Sequence, residues 1–324
     1  MQNESLELSL LSIFSVLSFF TFLITQKFSN KILRGSLLDD DFSKPQAFHE
    51  TNVPRSGGLA SIISFLIFIL LNNILFSFIY VDYLVVGIGL FLIGFLEDIK
   101  IKFSARTRLF LMIVFLLTLT KIFSFKINGI DLFLLNNILS VNIFFNIFIV
   151  LCFLFIINGS NLIDGFNGLL SLHLIIINSV LLLINIENGS QALSVFITAQ
   201  IIILLIFLLF NFPTAKIFMG DGGAYFFGSI TALNVITTNN LSPNISSFFF
   251  CILLFYLFFE VFFSFFRKII SRRSPIKPDR YHLHMLSYKV IKLKNTGKDR
   301  NYLNSIFINF TYSLLVLPSI FIKE

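Results

Sequence analysis

The chain has 324 residues, of which 56% are hydrophobic and only 13% are charged, and it carries a net charge of +7. Soluble domains average about 25% charged residues, so an ordinary soluble globular protein is excluded. Apolar runs long enough to cross a bilayer recur along the whole sequence. The composition therefore predicts a multi-span helical membrane protein with a single domain, residues 1–324.

Ten apolar segments are predicted to be membrane-spanning helices, because each approaches the roughly 20 residues that the hydrocarbon core requires. The first follows an acidic N-terminus without the basic flank of a cleavable signal peptide. The predicted fold class is an all-α integral membrane protein with about ten transmembrane helices. They are 6–26, 57–79, 81–96, 106–122, 139–158, 168–186, 191–210, 223–239, 246–266 and 302–322.

The basic residues predict how these spans are oriented. If the first loop is cytoplasmic, all but three of the 24 Lys and Arg residues fall on the cytoplasmic side, as the positive-inside rule requires. Both termini are then outside. This distribution and the attraction to anionic headgroups explain the net charge, so no nucleic-acid partner is predicted.

The polar segments that carry glycines or carboxylates all fall on this predicted cytoplasmic side. Their clustering predicts an enzyme that acts on a cytoplasmic substrate at the membrane surface. A transporter or flippase for an anionic solute is the alternative, but the spans hold almost no charges near their midpoints, where transport sites normally lie. Glu260 is the main exception, and we expect Glu260 and His173 to face neighbouring helices or to lie near a span end. A non-catalytic scaffold gives no reason for acids and glycines to recur in the segments 44–58, 94–108, 158–169, 211–223 and 275–288.

The first two segments offer cations and a pair of acids. Arg55 lies in KPQAFHETNVPRSGGLA, which on its own is best interpreted as an ordinary basic loop. Glu97 and Asp98 end the apolar part of GFLEDIKIKFSARTRL. Neighbouring acids raise each other's pKa and can share a proton or a cation. Acids at a helix C-terminus also oppose the macrodipole, so this unfavourable placement indicates a site.

The third segment, NGSNLIDGFNGL, places Asn161, Asp164 and Asn167 three residues apart. On helical geometry these three side chains would form one polar row. Oxygen ligands of this kind suit Mg²⁺, which takes one or two carboxylates and completes its shell with water and phosphate.

The last two segments add a metal-ligand candidate and phosphate-binding candidates. Asp221 stands isolated in NFPTAKIFMGDGG, with Asn211 in the same loop, and is the strongest single candidate for a metal ligand. In SPIKPDRYHLHMLSYK, Arg280, His282 and His284 lack the further ligands of a zinc site, so phosphate contact fits better. Carboxylates for a divalent metal, cations for phosphates and a membrane face together predict phosphoryl chemistry on a lipid phosphate.

At this point the sequence resembles a known family. NLIDGFNGL, FMGDGGAYFFG, the acidic pair in GFLEDIK, PRSGGLA and PDRYHLHM are similar to the motifs of the polyprenyl-phosphate N-acetylhexosamine-1-phosphate transferases, the superfamily of the MraY and WecA enzymes. The motifs occur in the family's order between residues 44 and 288. Ten spans with both ends outside also match.

The resemblance implies transfer of a sugar 1-phosphate from a UDP-N-acetylamino sugar to undecaprenyl phosphate, with release of UMP. It implies Mg²⁺, with Mn²⁺ as a possible substitute, a bacterial cytoplasmic membrane, an active site facing the cytoplasm and a possible homodimer. It also assigns residue roles. Asp221 and Asp164 are expected to bind the metal; Glu97, Asp98, Asp164, His282 and His284 to be catalytic; and Asn161, Asn167, Asn211, Phe218, Arg280 and Arg55 to bind substrate.

Three departures from the family pattern bear on specificity. Asn167 stands for the second Asp of the DGxDG motif, Glu97 for the first Asp of the acidic pair and Met285 for the last His. Asn167 keeps its hydrogen bonding while it lacks charge, which favours nucleotide positioning over metal binding. The pattern resembles the subgroup that starts O-antigen or capsule lipid intermediates more than the peptidoglycan phospho-MurNAc-pentapeptide transferase, which stays the alternative within the family. We expect direct attack by the lipid phosphate, since its second pKa near 6 leaves it largely ionised; a covalent route through a carboxylate stays open.

Overall fold

The computed structural model describes residues 2–39, 52–101, 103–123, 125–127, 130–274, 281–294 and 301–322. Its described part is almost entirely helical, with one two-stranded antiparallel ladder between β1 (Leu38–Asp39) and β2 (Val53–Pro54). The helices are α1 (Gln2–Phe28), α2 (Gly57–Phe76), α3 (Val81–Asp98), α4 (Ala105–Ile122), α5 (Phe133–Leu139), α6 (Asn142–Ile163), α7 (Leu169–Glu187), α8 (Gln191–Asn211), α9 (Gly220–Leu241), α10 (Ser247–Leu253), α11 (Phe255–Ile270), α12 (Leu283–Lys294) and α13 (Asn301–Val316).

Within this described part, six helices are long and apolar enough to cross a membrane, or seven if the bent pair α10 and α11 forms one span. The six comprise α1, α2, α6, α7, α8 and the segment Asn301–Phe321. The all-α membrane class is therefore confirmed, whereas ten spans and the orientation of the termini stay predictions. The remaining predicted spans, 81–96, 106–122 and 223–239, do form the helices α3, α4 and α9.

Helix α9 differs from a lipid-facing span because protein surrounds it. Nearly every residue from Gly220 to Asn239 is buried, and α9 packs against α2, α3, α6 and α7. A helix that contacts other helices rather than lipid does not need an apolar surface, and α9 instead carries Gly, Ser, Thr and Asn side chains. Small residues of this kind let membrane helices approach closely.

Polar side chains join α7, α8 and α9 inside the bundle. The side-chain amide of Asn234 donates to Asn178 Oδ1 and to Gln200 Oε1, both at 2.8 Å. Two turns further along α7, the side-chain amide of Asn185 donates to Thr238 Oγ1 on α9 at 2.8 Å. Hydrogen bonds of this kind hold membrane helices in register. They therefore fix the position of α9, and of its N-terminus, within the bundle.

Several helix ends meet near that N-terminus. They are the N-terminus of α2, the C-termini of α3 and α6, and the loop that joins α8 to α9. The backbone N–H groups of Gly57 and Gly58 donate to the carbonyls of Phe218 and Met219, at 2.9 and 2.8 Å. Polar segments that are far apart in the sequence are thus brought to one end of the bundle.

Candidate active site

The centre of the site is the N-terminus of α9, which is capped by a carboxylate from α3. The backbone N–H of Asp221 donates to Asp98 Oδ1 at 2.9 Å, and that of Gly222 donates to Asp98 Oδ2 at 2.8 Å. The first N–H groups of a helix have no partner inside the helix, and its N-terminus favours negative charge. Asp98 satisfies both requirements from a position more than a hundred residues away.

The close approach of α3 and α9 depends on glycines. Gly220 has φ of +76°, and a Cβ added there would lie 2.6 Å from Asp98 Oδ1. On α3, a Cβ at Gly94 would lie 2.5 Å from the carbonyl oxygen of Asp221. Side chains at either position would push the two helices apart, so these glycines set the distance between the two acidic motifs.

Burial and a neighbouring charge shift the pKa of the Asp98 carboxyl. Its side chain is 2% exposed, and the pKa of this carboxyl is raised well above its usual value by burial and by the charge of Asp221, with Arg55 and the two backbone N–H groups opposing the rise. Arg55 Nη1 lies 3.7 Å from Asp98 Oδ1. The acid that raises the pKa of Asp98 is therefore Asp221 on another helix, not the adjacent Glu97.

Glu97 and Asp221 share a cation that was not among the predicted site residues. Arg108 Nη1 donates to Asp221 Oδ2 at 2.6 Å and lies 3.8 Å from Glu97 Oε2. The other oxygen of Asp221 accepts from Asn161 Nδ2 at 3.2 Å. In the sequence, Arg108 belongs to the basic run that follows Glu97 and Asp98. The predicted membrane orientation is enough to explain a basic run there, so the sequence gives no separate reason to single out Arg108.

The predicted polar row of Asn161, Asp164 and Asn167 is not a helical face. Helix α6 ends at Ile163 and Gly168 has a positive φ of +77°, so the three side chains lie on a helix end and a turn. Asn161 reaches Asp221, whereas Asn167 Nδ2 donates to the carbonyl of Pro213 at 2.9 Å. Proximity to Asp221 comes from the packing of α6 against α9 rather than from spacing.

Asp164 stands just beyond α6 and is partly buried. Burial, followed by the charge of Asp221, raises the pKa of its carboxyl to about 7, while Arg55 opposes the rise. A carboxyl whose pKa is raised by a neighbouring carboxylate lies in a region of excess negative charge. A cation bound between them would relieve this repulsion.

Asn211 ends α8, and Phe218 lies in the loop between α8 and α9. The buried Asn211 accepts from the backbone N–H of Gly168 at 2.7 Å and donates to the carbonyl of Ile217 at 2.9 Å. Asn211 thus joins the α6–α7 turn to the loop. The Phe218 backbone N–H donates to the carbonyl of Pro54 at 2.8 Å. A nucleoside contact for these two residues stays a prediction.

Arg55 is oriented by an acid that the sequence did not single out. Its Nε and Nη2 donate to Asp39 Oδ2 at 3.1 and 2.8 Å, across the ladder of β1 and β2. Burial lowers the guanidinium pKa, but the charges of Asp39, Asp221 and Asp98 outweigh it and raise the pKa above its usual value. Arg55 therefore stays a cation beside the capped helix terminus.

The two histidines of the last motif share one buried carboxylate. Glu260 Oε2 lies 3.2 Å from His282 Nδ1, and Glu260 Oε1 lies 3.1 Å from His284 Nδ1. Burial lowers the pKa of His284, with Glu260 opposing the effect. The His284 ring packs edge-on against Phe166, next to Asp164. Arg280 lies outside the described residues.

The residues present fit a magnesium ion in part. Glu97 Oε2 is buried without a hydrogen-bond partner, and Asp164 and Asp221 repel each other. In the described part of the chain, no group of three or more His, Cys, Asp and Glu side chains could hold a metal. An ion that takes one or two carboxylates and completes its shell with water and substrate phosphates suits this arrangement.

Comparison with known proteins places the chain in a family. The model of glycosyl transferase family 4 matches residues 80–239, which span α3 to α9 and contain four of the site carboxylates. The chain belongs to glycosyl transferase family 4. It is a phospho-sugar transferase, and the enzyme class read from the sequence motifs is confirmed.

Relatives of this family member carry two kinds of name. It is 27% identical over 313 residues to the undecaprenyl-phosphate alpha-N-acetylglucosaminyl 1-phosphate transferase of Thermotoga maritima, covering 95% of this chain and 89% of that protein. It is 29% identical over 299 residues to the phospho-N-acetylmuramoyl-pentapeptide-transferase of Dictyoglomus thermophilum, covering 88% and 92%. The enzyme of the same name from Staphylococcus saprophyticus is 33% identical over 211 residues, covering 59% of this chain and 64% of that protein.

Proposed function

We propose that this transferase moves a sugar 1-phosphate from a UDP-N-acetylamino sugar to undecaprenyl phosphate, giving a polyprenyl-diphosphate sugar and UMP. The observation that carries the proposal is the meeting of Asp98, Asp221 and Arg108 at the N-terminus of α9. The activities for which the relatives are named support the donor and acceptor classes. An N-acetylglucosamine-type donor that starts a surface polysaccharide such as O-antigen is favoured, because Asn167, Glu97 and Met285 depart from the family motifs in the way that resembles the O-antigen and capsule subgroup.

The reaction is a direct displacement. An oxygen of the lipid phosphate attacks the β-phosphorus of the UDP-sugar, a new P–O bond forms, and the bond from that phosphorus to the oxygen of the α-phosphate breaks. The electron pair leaves with UMP, and the sugar stays attached to its own phosphate. The attacking phosphate is already largely ionised near neutral pH, so the protein mainly positions and neutralises charge.

The chain's residues divide this work. Asp221 and Asp164 would hold Mg²⁺ or Mn²⁺, which when bound supplies charge neutralisation at the diphosphate. Arg108 and Arg55 lie at the carboxylates and attract the phosphates, with Arg280 as a further candidate. His282 and His284 contact phosphate oxygens. Asp98 holds the terminus of α9, and Glu97, whose Oε2 lies 3.8 Å from Arg108 Nη1, is left as the candidate to accept a proton.

Placement in the bacterial cytoplasmic membrane is part of the proposal through the resemblance, and the distribution of Lys and Arg supports a site on the cytoplasmic face. Homodimer formation is part of the proposal through the resemblance alone. The donor is a cytoplasmic nucleotide sugar, so a site on that face meets its substrate directly.

The test is UMP release by the purified protein in detergent, with undecaprenyl phosphate, Mg²⁺ and a panel of UDP-N-acetylamino sugars that includes UDP-MurNAc-pentapeptide. Release with one donor that depends on Mg²⁺ and is lost in Asp221→Ala supports the proposal and names the sugar. Release with UDP-MurNAc-pentapeptide alone would replace the favoured donor by the peptidoglycan one. No release with any donor, together with no binding of UDP-sugars by folded protein, would overturn the proposal.

A further inference from the structure

Helix α13 follows the last motif segment and lies outside residues 80–239, which the family model matches. One face of α13 is apolar and exposed, with Phe307 and Phe310 more than half accessible. The opposite face carries buried polar side chains, among them Asn304 and Asn309. A buried amide without hydrogen bonds is costly, so the partners of these two side chains show what α13 holds in place.

Asn304 holds the first turn of α12. Its Nδ2 donates to the carbonyl oxygen of His284 at 2.8 Å, and its Oδ1 accepts from Ser287 Oγ at 3.0 Å. Two bonds from one side chain to one helical turn fix the orientation of that turn as well as its position. The backbone that carries the His284 ring is therefore attached to α13.

Asn309 holds the start of α7, directly after the turn that contains Asp164. Its Nδ2 donates to the carbonyl oxygen of Leu169 at 3.1 Å, and its Oδ1 lies 3.2 Å from His173 Nδ1. Leu169 is the first residue of α7, and its own N–H donates to the carbonyl of Phe166 at 3.0 Å. The end of the Asp164 turn is therefore attached to the same helix as His284.

The two attachments relate one motif to the other. Asn304 and Asn309 are five residues apart, which is about 7.5 Å along the axis of a rigid helix. The segments that they hold meet where the His284 ring packs edge-on against Phe166, with ring centroids 5.3 Å apart. One stretch of α13 thus bonds to both sides of this contact.

We propose that Asn304 and Asn309 are positioning residues through which α13 sets the distance between His284 and the Asp164 turn. What the two motifs bind rests on the proposed function, whereas the attachments do not. A misplacement of about 1 Å, caused by a change far from the reacting atoms, can cost about 100-fold in rate. Residues that act only through this distance can therefore control turnover.

A merely structural role, in which these amides only stabilise the bundle, makes a different prediction. Asn72→Ala is the matched control, because buried Asn72 also donates from Nδ2 to a backbone carbonyl at 2.8 Å, that of Phe78. This bond lies at the opposite end of α2 from Gly57, which is at the site. A structural role predicts that Asn72→Ala and Asn304→Ala both lower the unfolding midpoint and leave kcat per folded protein unchanged.

The first measurement is hydrogen–deuterium exchange of the purified protein without substrate. In Asn304→Ala we expect the amides of residues 283–291 to exchange about 2–10-fold faster, the effect of losing one or two hydrogen bonds. In Asn309→Ala the same change should appear in residues 165–173, and Asn72→Ala should change neither segment. Unchanged exchange of residues 283–291 in Asn304→Ala would overturn the proposal. No substrate is needed, so this result stands even if the proposed reaction fails.

The second measurement is UMP release. Asn304→Ala should lower kcat per folded protein by about 10–100-fold with KM for the UDP-sugar nearly unchanged, whereas Asn72→Ala should keep both values. Ser287→Ala removes one of the two bonds and should give the same change at smaller size. The combined Asn304→Ala and Asn309→Ala protein should lose little more than Asn304→Ala alone, because both residues act through one distance. An unchanged kcat in Asn304→Ala, or a loss that Asn72→Ala shares, would overturn the positioning role.

Discussion

The carboxylate of Asp98 accepts the backbone N–H of Asp221, so one acid of the site holds the other in place. The same carboxylate accepts the N–H of Gly222 through its second oxygen. With both oxygens bonded to the helix that presents Asp221, Asp98 is a positioning residue before it is a base. The two adjacent acids therefore have different roles. Asp98 fixes the N-terminus of α9, whereas Glu97 has a buried oxygen without a hydrogen bond.

Asp98→Asn should destabilise the protein and reduce activity. The amide keeps one acceptor but turns an N–H toward a backbone N–H of α9, which leaves a buried donor unsatisfied at a cost of about 1–3 kcal/mol. Thermal unfolding in detergent should show a lower midpoint, and Mg²⁺-dependent UMP release should fall with it. Glu97→Gln is the neighbouring control and should leave the unfolding midpoint unchanged. An Asp98→Asn protein as stable as the wild type would show that the cap does not contribute.

The Asp98 cap also shows where local sequence reasoning stops. At the end of α3 an acid opposes the helix dipole, and from the sequence this placement indicates a site. The conclusion was useful, but the physical reason lies elsewhere, because Asp98 stands at the favourable end of α9. Nothing in the residues around Asp98 indicates that a helix more than a hundred residues later begins there.

The motifs themselves and the all-helical membrane class could be predicted, because apolar length and glycine-carboxylate segments are local features. The span count could not be settled in this way. Helix α9 is enclosed by protein, so it needs no apolar surface. Its hydropathy therefore does not distinguish it from a polar helix that does not cross the membrane. Glu260 was seen only as a charge within a span, since its two histidine partners come from a segment 22 and 24 residues further on.

Arg108 should be required for activity, whereas Arg106, two residues earlier, should not. Arg108→Gln leaves Asp221 and Glu97 without their shared cation, and truncating one partner of a partly buried pair is strongly unfavourable. We expect kcat/KM for the UDP-sugar to fall about 100-fold, which corresponds to about 3 kcal/mol. Arg108→Lys should recover part of this loss, since it keeps the charge but not the planar fork. Arg106→Gln, at an exposed position two residues earlier, should behave as the wild type; equal losses in both variants would assign the effect to net charge.

Asn211→Asp separates a loop clamp from a nucleoside contact. The aspartate keeps the acceptor for the N–H of Gly168 but loses the donor to Ile217, and it places a negative charge against a carbonyl oxygen. A clamp predicts a lower unfolding midpoint in the absence of substrate. A nucleoside contact predicts an unchanged midpoint and a raised KM for the UDP-sugar. We expect the first result; Asn167→Ala, which removes the bond to Pro213, should give a smaller shift in the same direction.

Gly94→Ala tests whether the close approach of α3 and α9 is what brings the acids together. The added methyl group would lie 2.5 Å from the carbonyl oxygen of Asp221, so backbone must move, and overpacking of this kind costs about 1–3 kcal/mol. Because the displaced backbone carries Asp221, we expect UMP release to fall more steeply than the unfolding midpoint does. Leu92→Ala, on the exposed side of the same helix, should leave both properties close to the wild type. If Gly94→Ala lowers the unfolding midpoint while Mg²⁺-dependent turnover by the folded fraction is kept, the distance between the two helices does not control the geometry of the acids.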